Sequence, residues 1–146
     1  MQWAQITWIF LHTFPEKIKE NFFKKNIKDC LGLIKYIVSY LPCPICTKHA
    51  NEYFHKYNIY LCKTKEDLKI YLWKFHNEVN YRLKKKQYKL INLDMYKKIN
   101  FKKVTKLFIK EYQRPYYYTK VMNGWLRKEH AKKIIFYMSV NQKQFD

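Results

Sequence analysis

Apolar residues recur along this chain at helical spacing. Residues 2–14 are apolar on most faces, which predicts a buried helix that ends at Pro15, where the hydrogen-bond ladder is interrupted. After a lysine-rich connector, Ile27, Cys30, Leu31, Ile34, Ile37, Val38 and Leu41 follow the i, i+3, i+4, i+7 rhythm of a second, amphipathic helix that stops at Pro42. A third helix is expected to start at Cys43 and Pro44 and to run to about residue 57, with Cys46, Ala50, Tyr53 and Tyr57 on one side. Thr64-Lys65-Glu66-Asp67 has the form of a capping box with aspartate in place of glutamate. It opens a fourth helix whose inward face reads Leu68, Tyr71, Leu72, Phe75, His76, Val79, Asn80 and Leu83. A fifth helix is predicted over about 93–112, ending before Pro115. The tail holds Tyr116, Tyr117, Tyr118, Trp125, Phe136, Tyr137 and the pair Ile134-Ile135, enough apolar surface to pack on the core or on a second subunit. The expectation is an all-α protein: a four-helix bundle with a fifth helix and a helical C-terminal extension, divided near Gln113 into residues 1–112 and 113–146.

Composition agrees with long helices and few turns. The 146 residues include only two glycines and four prolines, while aromatic residues reach 19% with fourteen tyrosines. Thirty basic residues against eleven acidic ones give a net charge of +19, which fits a nucleic-acid footprint, an anionic surface or acidic partners. The excess is nearly all lysine, in a chain also rich in asparagine, isoleucine and tyrosine, as an AT-rich coding sequence would produce. The N-terminal apolar stretch has neither a basic leader nor a small-residue cleavage site, so it is not read as a signal peptide. No apolar run approaches the ~20 residues needed to span a bilayer, and a soluble protein is expected.

Against this background, Pro42-Cys43-Pro44-Ile45-Cys46 carries the chemistry. Pro44 fits the first helical position and leaves Cys43 at the cap with Cys46 one turn on, so the two sulfurs can form a disulfide or pinch one metal ion. A helix N-terminus favours negative charge and lowers a cysteine pKa, which makes a thiolate available near neutral pH. The total of four cysteines suits a working redox pair in a reducing compartment better than a secreted disulfide framework. Cys30 lies in an apolar stripe and reads as a small buried hydrophobe. Cys62, in a connector, is open to three readings: inert, a shuttle thiol, or a bridge to Cys30. Trp8 with His12, Cys46 with His49, and His76 with Asn80 are three helix-borne sets that a four-helix arrangement can aim at one cavity, which implies a ligand.

Taken together, three motifs resemble the Erv/ALR family of FAD-dependent sulfhydryl oxidases, particularly the small versions of large DNA viruses. Trp3-Ala4-Gln5-Ile6-Thr7-Trp8-Ile9-Phe10-Leu11-His12 is similar to the family's W-G-x-x-x-W-x-x-L-H pattern. Pro42-Cys43-Pro44-Ile45-Cys46 resembles its active disulfide. His76-Asn77-Glu78-Val79-Asn80-Tyr81-Arg82-Leu83-Lys84-Lys85 resembles its H-N-x-V-N-x-x-L-x-K signature. The resemblance covers about residues 2–112. It implies a helical bundle holding FAD at one end, usually as a homodimer, with Trp8, His12, His49, His76, Asn77, Asn80 and Lys85 as cofactor contacts. It makes Cys46 the flavin-proximal cysteine and Cys43 the one attacked by client thiols. Electrons would pass from a dithiol to the Cys43–Cys46 disulfide, then to FAD and to dioxygen, giving hydrogen peroxide. A viral protein of the infected-cell cytoplasm or the virion is implied, with no resident metal.

There are departures. Ala4 stands where the family usually has glycine, and Trp73 lies three residues before His76, whereas the family places its tryptophan where this chain has Tyr71. A second CxxC is absent, so the implied partners are protein thiol substrates or a thioredoxin-like shuttle protein. Two rival readings remain at this level. One is a zinc-stabilised domain using Cys43, Cys46 and two of His49, His55 and His76, although only one paired knuckle is visible. The other is a basic nucleic-acid-binding helical protein, for which charge is the whole argument.

Overall fold

The computed structural model of the chain describes residues 2–114 and 124–146. Among them, seven α-helices appear in the order α1 (Gln2–Lys17), α2 (Glu20–Lys25), α3 (Ile27–Ser39), α4 (Pro44–Lys56), α5 (Lys65–Arg82), α6 (Phe101–Tyr112) and α7 (Gly124–Val140). Short 3-10 segments occupy Ile59–Leu61, Leu90–Lys98 and Gln142–Gln144. No strand is present among the described residues, and one isolated bridge joins Ile18 to Phe145. The fold is all-α, as the periodicity implied.

Helix α1 is the central element. It packs on α5 along one side and α6 along the other, while α3 pairs with α4. Its apolar character on most faces follows from this position between neighbours. Phe10 stacks on Phe108 with ring centroids 4.3 Å apart and on Phe101 at 5.3 Å, and Phe14 meets Phe145 edge-on at 5.1 Å. Such aromatic packing, together with the buried Leu31, Ile34, Ile37, Leu68 and Leu72, forms one core.

Local details differ from the sequence reading in four places. Helix α1 runs through Pro15 to Lys17 instead of ending at the proline. Proline so near the C-terminus forfeits a single ladder bond, and the last turn is secured by a Glu16–Lys69 ion pair of 2.9 Å and by Lys17 Nζ donating to the Lys97 carbonyl at 2.7 Å. The lysine-rich connector forms the short helix α2, which buries Phe23. The predicted fifth helix is divided: Leu90–Lys98 is 3-10, and Asn100 then caps α6 by accepting from Lys103 N–H at 3.1 Å. Leu83, assigned to the inward face of α5, is 56% exposed, because it is the C-cap residue where the chain leaves the helix.

The starts of α4 and α5 follow the predicted chemistry. Pro44 occupies the first turn of α4 with Cys43 as N-cap, and the Thr64–Asp67 capping box closes both ways, Asp67 N–H to Thr64 Oγ1 at 3.0 Å and Thr64 N–H to Asp67 Oδ2 at 3.1 Å. In the C-terminal extension, α7 buries Arg127, Ala131, Ile134 and Met138 against α6 and α3 of the same chain. Trp125, Phe136 and Ile135 face outwards, and Tyr116, Tyr117 and Tyr118 lie outside the described residues.

Candidate active site

Cys43 and Cys46 are joined as a disulfide across the first turn of α4, with Cα atoms 5.2 Å apart. The Cys46 N–H donates to Cys43 Sγ at 3.3 Å, so one of the otherwise unpaired amides of the helix start points at sulfur. When the bond is reduced, that amide and the helix N-terminus stabilise a thiolate at Cys43, which makes the disulfide a better oxidant. Thr47 Oγ1 braces the approach, accepting from Leu41 N–H at 3.1 Å and lying 3.3 Å from the Leu41 carbonyl. Cys43 is 8% exposed and Cys46 is half-buried, so the cysteine that the resemblance opens to clients is the more covered of the two.

A second cluster forms where α1 crosses α5. His12 Nε2 and His76 Nδ1 are 2.8 Å apart, one ring donating to the other. The Trp8 indole lies flat on His76, centroids 3.8 Å apart and planes within 6°, and Tyr96 covers His12 at 4.9 Å. Burial, reinforced by His76, lowers the His12 pKa to about 3. Burial, reinforced by the Lys85 ammonium, lowers that of His76 to about 4. Both imidazoles are therefore neutral at pH 7.

Asn80, one turn beyond His76, is 5% exposed, and its Nδ2 has no hydrogen-bond partner. A buried donor left so costs about 1–3 kcal/mol, a signal that a partner belongs there. Asn80 lines a cavity of about 530 Å³ bordered also by Lys85, Lys86, Tyr88, Lys89, Asn92 and Met95. Asn77 takes a different part. Its Oδ1 accepts from Tyr88 N–H and its Nδ2 donates to the Tyr88 carbonyl, both at 2.9 Å, while Trp73 Nε1 donates to the same carbonyl at 2.8 Å. Together they fold residues 84–89 back along α5 and form the cavity wall. The reversal is made by Lys84 at φ 57°, with Lys85 N–H bonded to the Asn80 carbonyl and Lys84 N–H to that of Tyr81, a Schellman closure with lysine where glycine is usual.

Trp8 and His12 of one predicted set thus meet His76 of another directly, with Asn80 one turn further along α5. The Cys46–His49 set lies on α4 and is not in direct contact with them; further along the same helix Tyr53 and Phe54 each meet Phe75 at 5.1 Å, and Phe75 contacts Trp8 at 5.2 Å. His49 is half-buried beside Ala50. Sequence reasoning missed Tyr88 and Tyr96. The one legible trace of Tyr96 is the three-residue spacing of Leu90, Leu93 and Tyr96, the period of a 3-10 face, and Tyr88, which precedes that segment, leaves none.

Cys30 and Cys62 are both free and buried, so the Cys30–Cys62 bridge is not formed. Burial raises both thiols, Cys62 to about 11, and Cys30 Sγ sits 3.3 Å from the Tyr137 hydroxyl. These are protonated packing residues at neutral pH. No group of three or more histidine, cysteine, aspartate or glutamate side chains converges as a metal site among the described residues, and His76 is engaged with His12 rather than with the cysteine pair. No helix among the described residues is long and apolar enough to cross a membrane.

A disulfide at the start of α4, on a helix whose Tyr53 and Phe54 pack on Phe75 beside Trp8 and the neutral His12–His76 pair, together with a lysine-edged cavity, defines a helical thiol–disulfide redox protein. This chain belongs to the Erv1/Alr family, whose sequence profile matches residues 5–103. It is 30% identical over 99 residues to the "FAD-linked sulfhydryl oxidase" of African swine fever virus (isolate Tick/Malawi/Lil 20-1/1983), and 31% identical over 102 residues to that of isolate Pig/Kenya/KEN-50/1950. Each alignment covers 68% of this chain and 80% of the relative. No solved structure matches the chain at comparable strength.

Proposed function

We propose that this chain is an FAD-dependent thiol oxidase that forms disulfide bonds in protein substrates. The observation that carries the reading is the Cys43–Cys46 disulfide at the N-terminus of α4, with α4 packed through Tyr53 and Phe54 onto the ring cluster of Trp8, Phe75 and His76. A client thiolate attacks Cys43 Sγ, the Cys43–Cys46 bond breaks and Cys46 leaves as a thiolate; the client's second thiolate then releases Cys43, so two electrons enter the pair as the client disulfide forms. Because Cys43 is covered, client docking has to uncover it. Flavin adenine dinucleotide, when bound, supplies the two-electron acceptor and its reoxidation by dioxygen, with hydrogen peroxide as product.

The residues present fit that cofactor. Asn80 Nδ2 is a buried donor without a partner at the edge of a cavity, and Lys85, Lys86 and Lys89 around it match a dinucleotide's phosphates. Trp8, His12 and His76 offer flat neutral surfaces, half-buried His49 lies one turn beyond Cys46 on α4 as a further cofactor contact, and Asn77 positions the cavity wall from behind. Electrons are delivered by protein dithiols or a thioredoxin-like shuttle. The protein works as a homodimer, for which the exposed Trp125, Phe136 and Val140 on one side of α7 supply apolar surface, in the cytoplasm of an infected cell or in the virion.

The test is a visible absorption spectrum of the purified protein followed by oxygen uptake with dithiothreitol. Near one equivalent of flavin and peroxide formation are expected. A colourless protein that refuses added FAD and consumes no oxygen would overturn the reading.

A further inference from the structure

Helix α7 lies beyond the stretch matched by the family, yet it reaches the segment that leads into the redox disulfide. Arg127 is fully buried at 0% exposure. Its Nη1 donates to the Tyr40 carbonyl at 2.6 Å, its Nε donates to the Tyr112 carbonyl at 2.9 Å, and its Nη2 donates to that same Tyr112 oxygen. The guanidinium also lies 4.4 Å from the Tyr112 ring centroid. One turn further on, His130 stacks on the Tyr40 ring at 3.9 Å with planes within 17°, and its Nδ1 is 3.1 Å from the Tyr36 hydroxyl. Tyr40 is the C-cap of α3 and is therefore gripped at both its carbonyl and its ring.

Only Leu41 and Pro42 separate this grip from Cys43. Leu41 is bonded in turn to Thr47 of α4, and Cys43 receives the Cys46 N–H. We propose that Arg127, supported by His130, is a positioning residue for the Cys43–Cys46 couple: through the Tyr40 carbonyl it fixes the strap that keeps the α4 amide aimed at Cys43 Sγ. The proposal rests on reading this disulfide as the redox centre. When a dithiol reduces the pair, the S–S bond breaks, two electrons arrive, the donor's own disulfide forms, and negative charge appears at Cys43. An N–H bond to a thiolate is charge-assisted, whereas the same bond to a disulfide sulfur is weak. Loosening the strap therefore destabilises the reduced form more than the oxidised one. A residue that merely held the fold would stabilise both forms equally and leave the equilibrium alone.

The experiment equilibrates the full chain anaerobically with mixtures of reduced and oxidised dithiothreitol, alkylates free thiols and counts modified Cys43 and Cys46 by mass spectrometry. Flavin absorbance and circular dichroism report folding of each variant. Arg127→Met is expected to shift the equilibrium towards the disulfide by about three- to tenfold, a tenfold change being about 30 mV. Arg127→Lys, which keeps a donor for the Tyr40 carbonyl, restores part of the shift, and His130→Ala moves it the same way by less. An unchanged equilibrium in folded Arg127→Met, or in His130→Ala if the methionine variant does not fold, would overturn the proposal. Failure of the oxidase reading shows separately, as a parent protein without oxygen uptake whose thiol equilibrium is still measurable.

Discussion

His12 and His76, 64 residues apart in sequence, meet Nε2 to Nδ1 at 2.8 Å between α1 and α5, with Trp8 stacked on the second ring. Such a bond needs one proton between two nitrogens, and burial holds both rings neutral, at about 3 for His12 and about 4 for His76.

That depression has a defined pH consequence. Unfolded histidine titrates near 6.5, so between about pH 4 and 6.5 the unfolded chain binds more protons than the folded one. The stabilisation is complete above pH 6.5 and is lost as pH falls towards the folded values. Thermal unfolding should show a Tm lower by roughly 5–10 °C at pH 5 than at pH 7, and His12→Gln should flatten much of that slope. An equally steep profile in the variant would contradict the assignment.

Asn80 separates cofactor binding from stability. Replacing it with leucine removes a buried donor that lacks a partner, so the apoprotein should be unchanged or more stable by up to ~1 kcal/mol. Flavin affinity, read by fluorescence titration, should fall at least about tenfold. A large loss of apoprotein stability with affinity intact would assign Asn80 to the fold alone.

Asn77 holds Tyr88 by two bonds to its backbone, and Trp73 adds a third. Asn77→Ala is expected to cost about 1–3 kcal/mol and to speed proteolysis within residues 84–96, since the strap loses both its donor and its acceptor there. Trp73→Phe should cost less. Denaturant melts and limited proteolysis with mass mapping check both.

Cys43→Ser and Cys46→Ser should each reduce oxygen uptake with dithiols by roughly a thousandfold or more, because neither single thiol can accept two electrons as a disulfide. They should differ in trapping. With Cys43 as the exchanging sulfur, the Cys43 thiolate of Cys46→Ser attacks an added client disulfide, releases one client thiol and stays as a mixed disulfide that no second cysteine resolves, while Cys43→Ser does not; the reverse pattern would exchange the two roles.

Lys84 adopts a left-handed conformation that side chains resist. Lys84→Gly should stabilise the protein by ~0.5–1 kcal/mol in denaturant melts without changing flavin content. A loss of flavin would show that the lysine side chain itself reaches the cofactor.

The helices were legible because their stripes are nearly unbroken, as in Ile27 to Val38 of α3, and because Pro44 and the Thr64–Asp67 box mark two starts by local chemistry. The closeness of Cys43 and Cys46 was legible for the same reason: a CxxC at a helix start brings its sulfurs together through the helix's own geometry, which suits a disulfide or a metal ion alike. Less could be read after residue 84. Tyr88, pinned by Asn77, and Tyr96, on the 3-10 segment that follows, enter the cluster from a stretch whose place is set by side chains of another helix, and apart from the Leu90–Leu93–Tyr96 spacing no local pattern announces it.

By itself, then, the sequence determined the all-helical architecture, the placing of Cys43 and Cys46 one turn apart at a helix start and the polar positions on α1 and α5, since each depends on neighbours within a turn or two along the chain. Only the tertiary structure decided that His12 bonds His76, that Asn80 keeps a free donor beside a lysine-edged cavity, that Cys30 and Cys62 stay apart as thiols, and that Arg127 reaches Tyr40. The physical reason is common to all four. The free energy of a buried polar group is set by the atoms that surround it, and those are brought in from distant parts of the chain by packing.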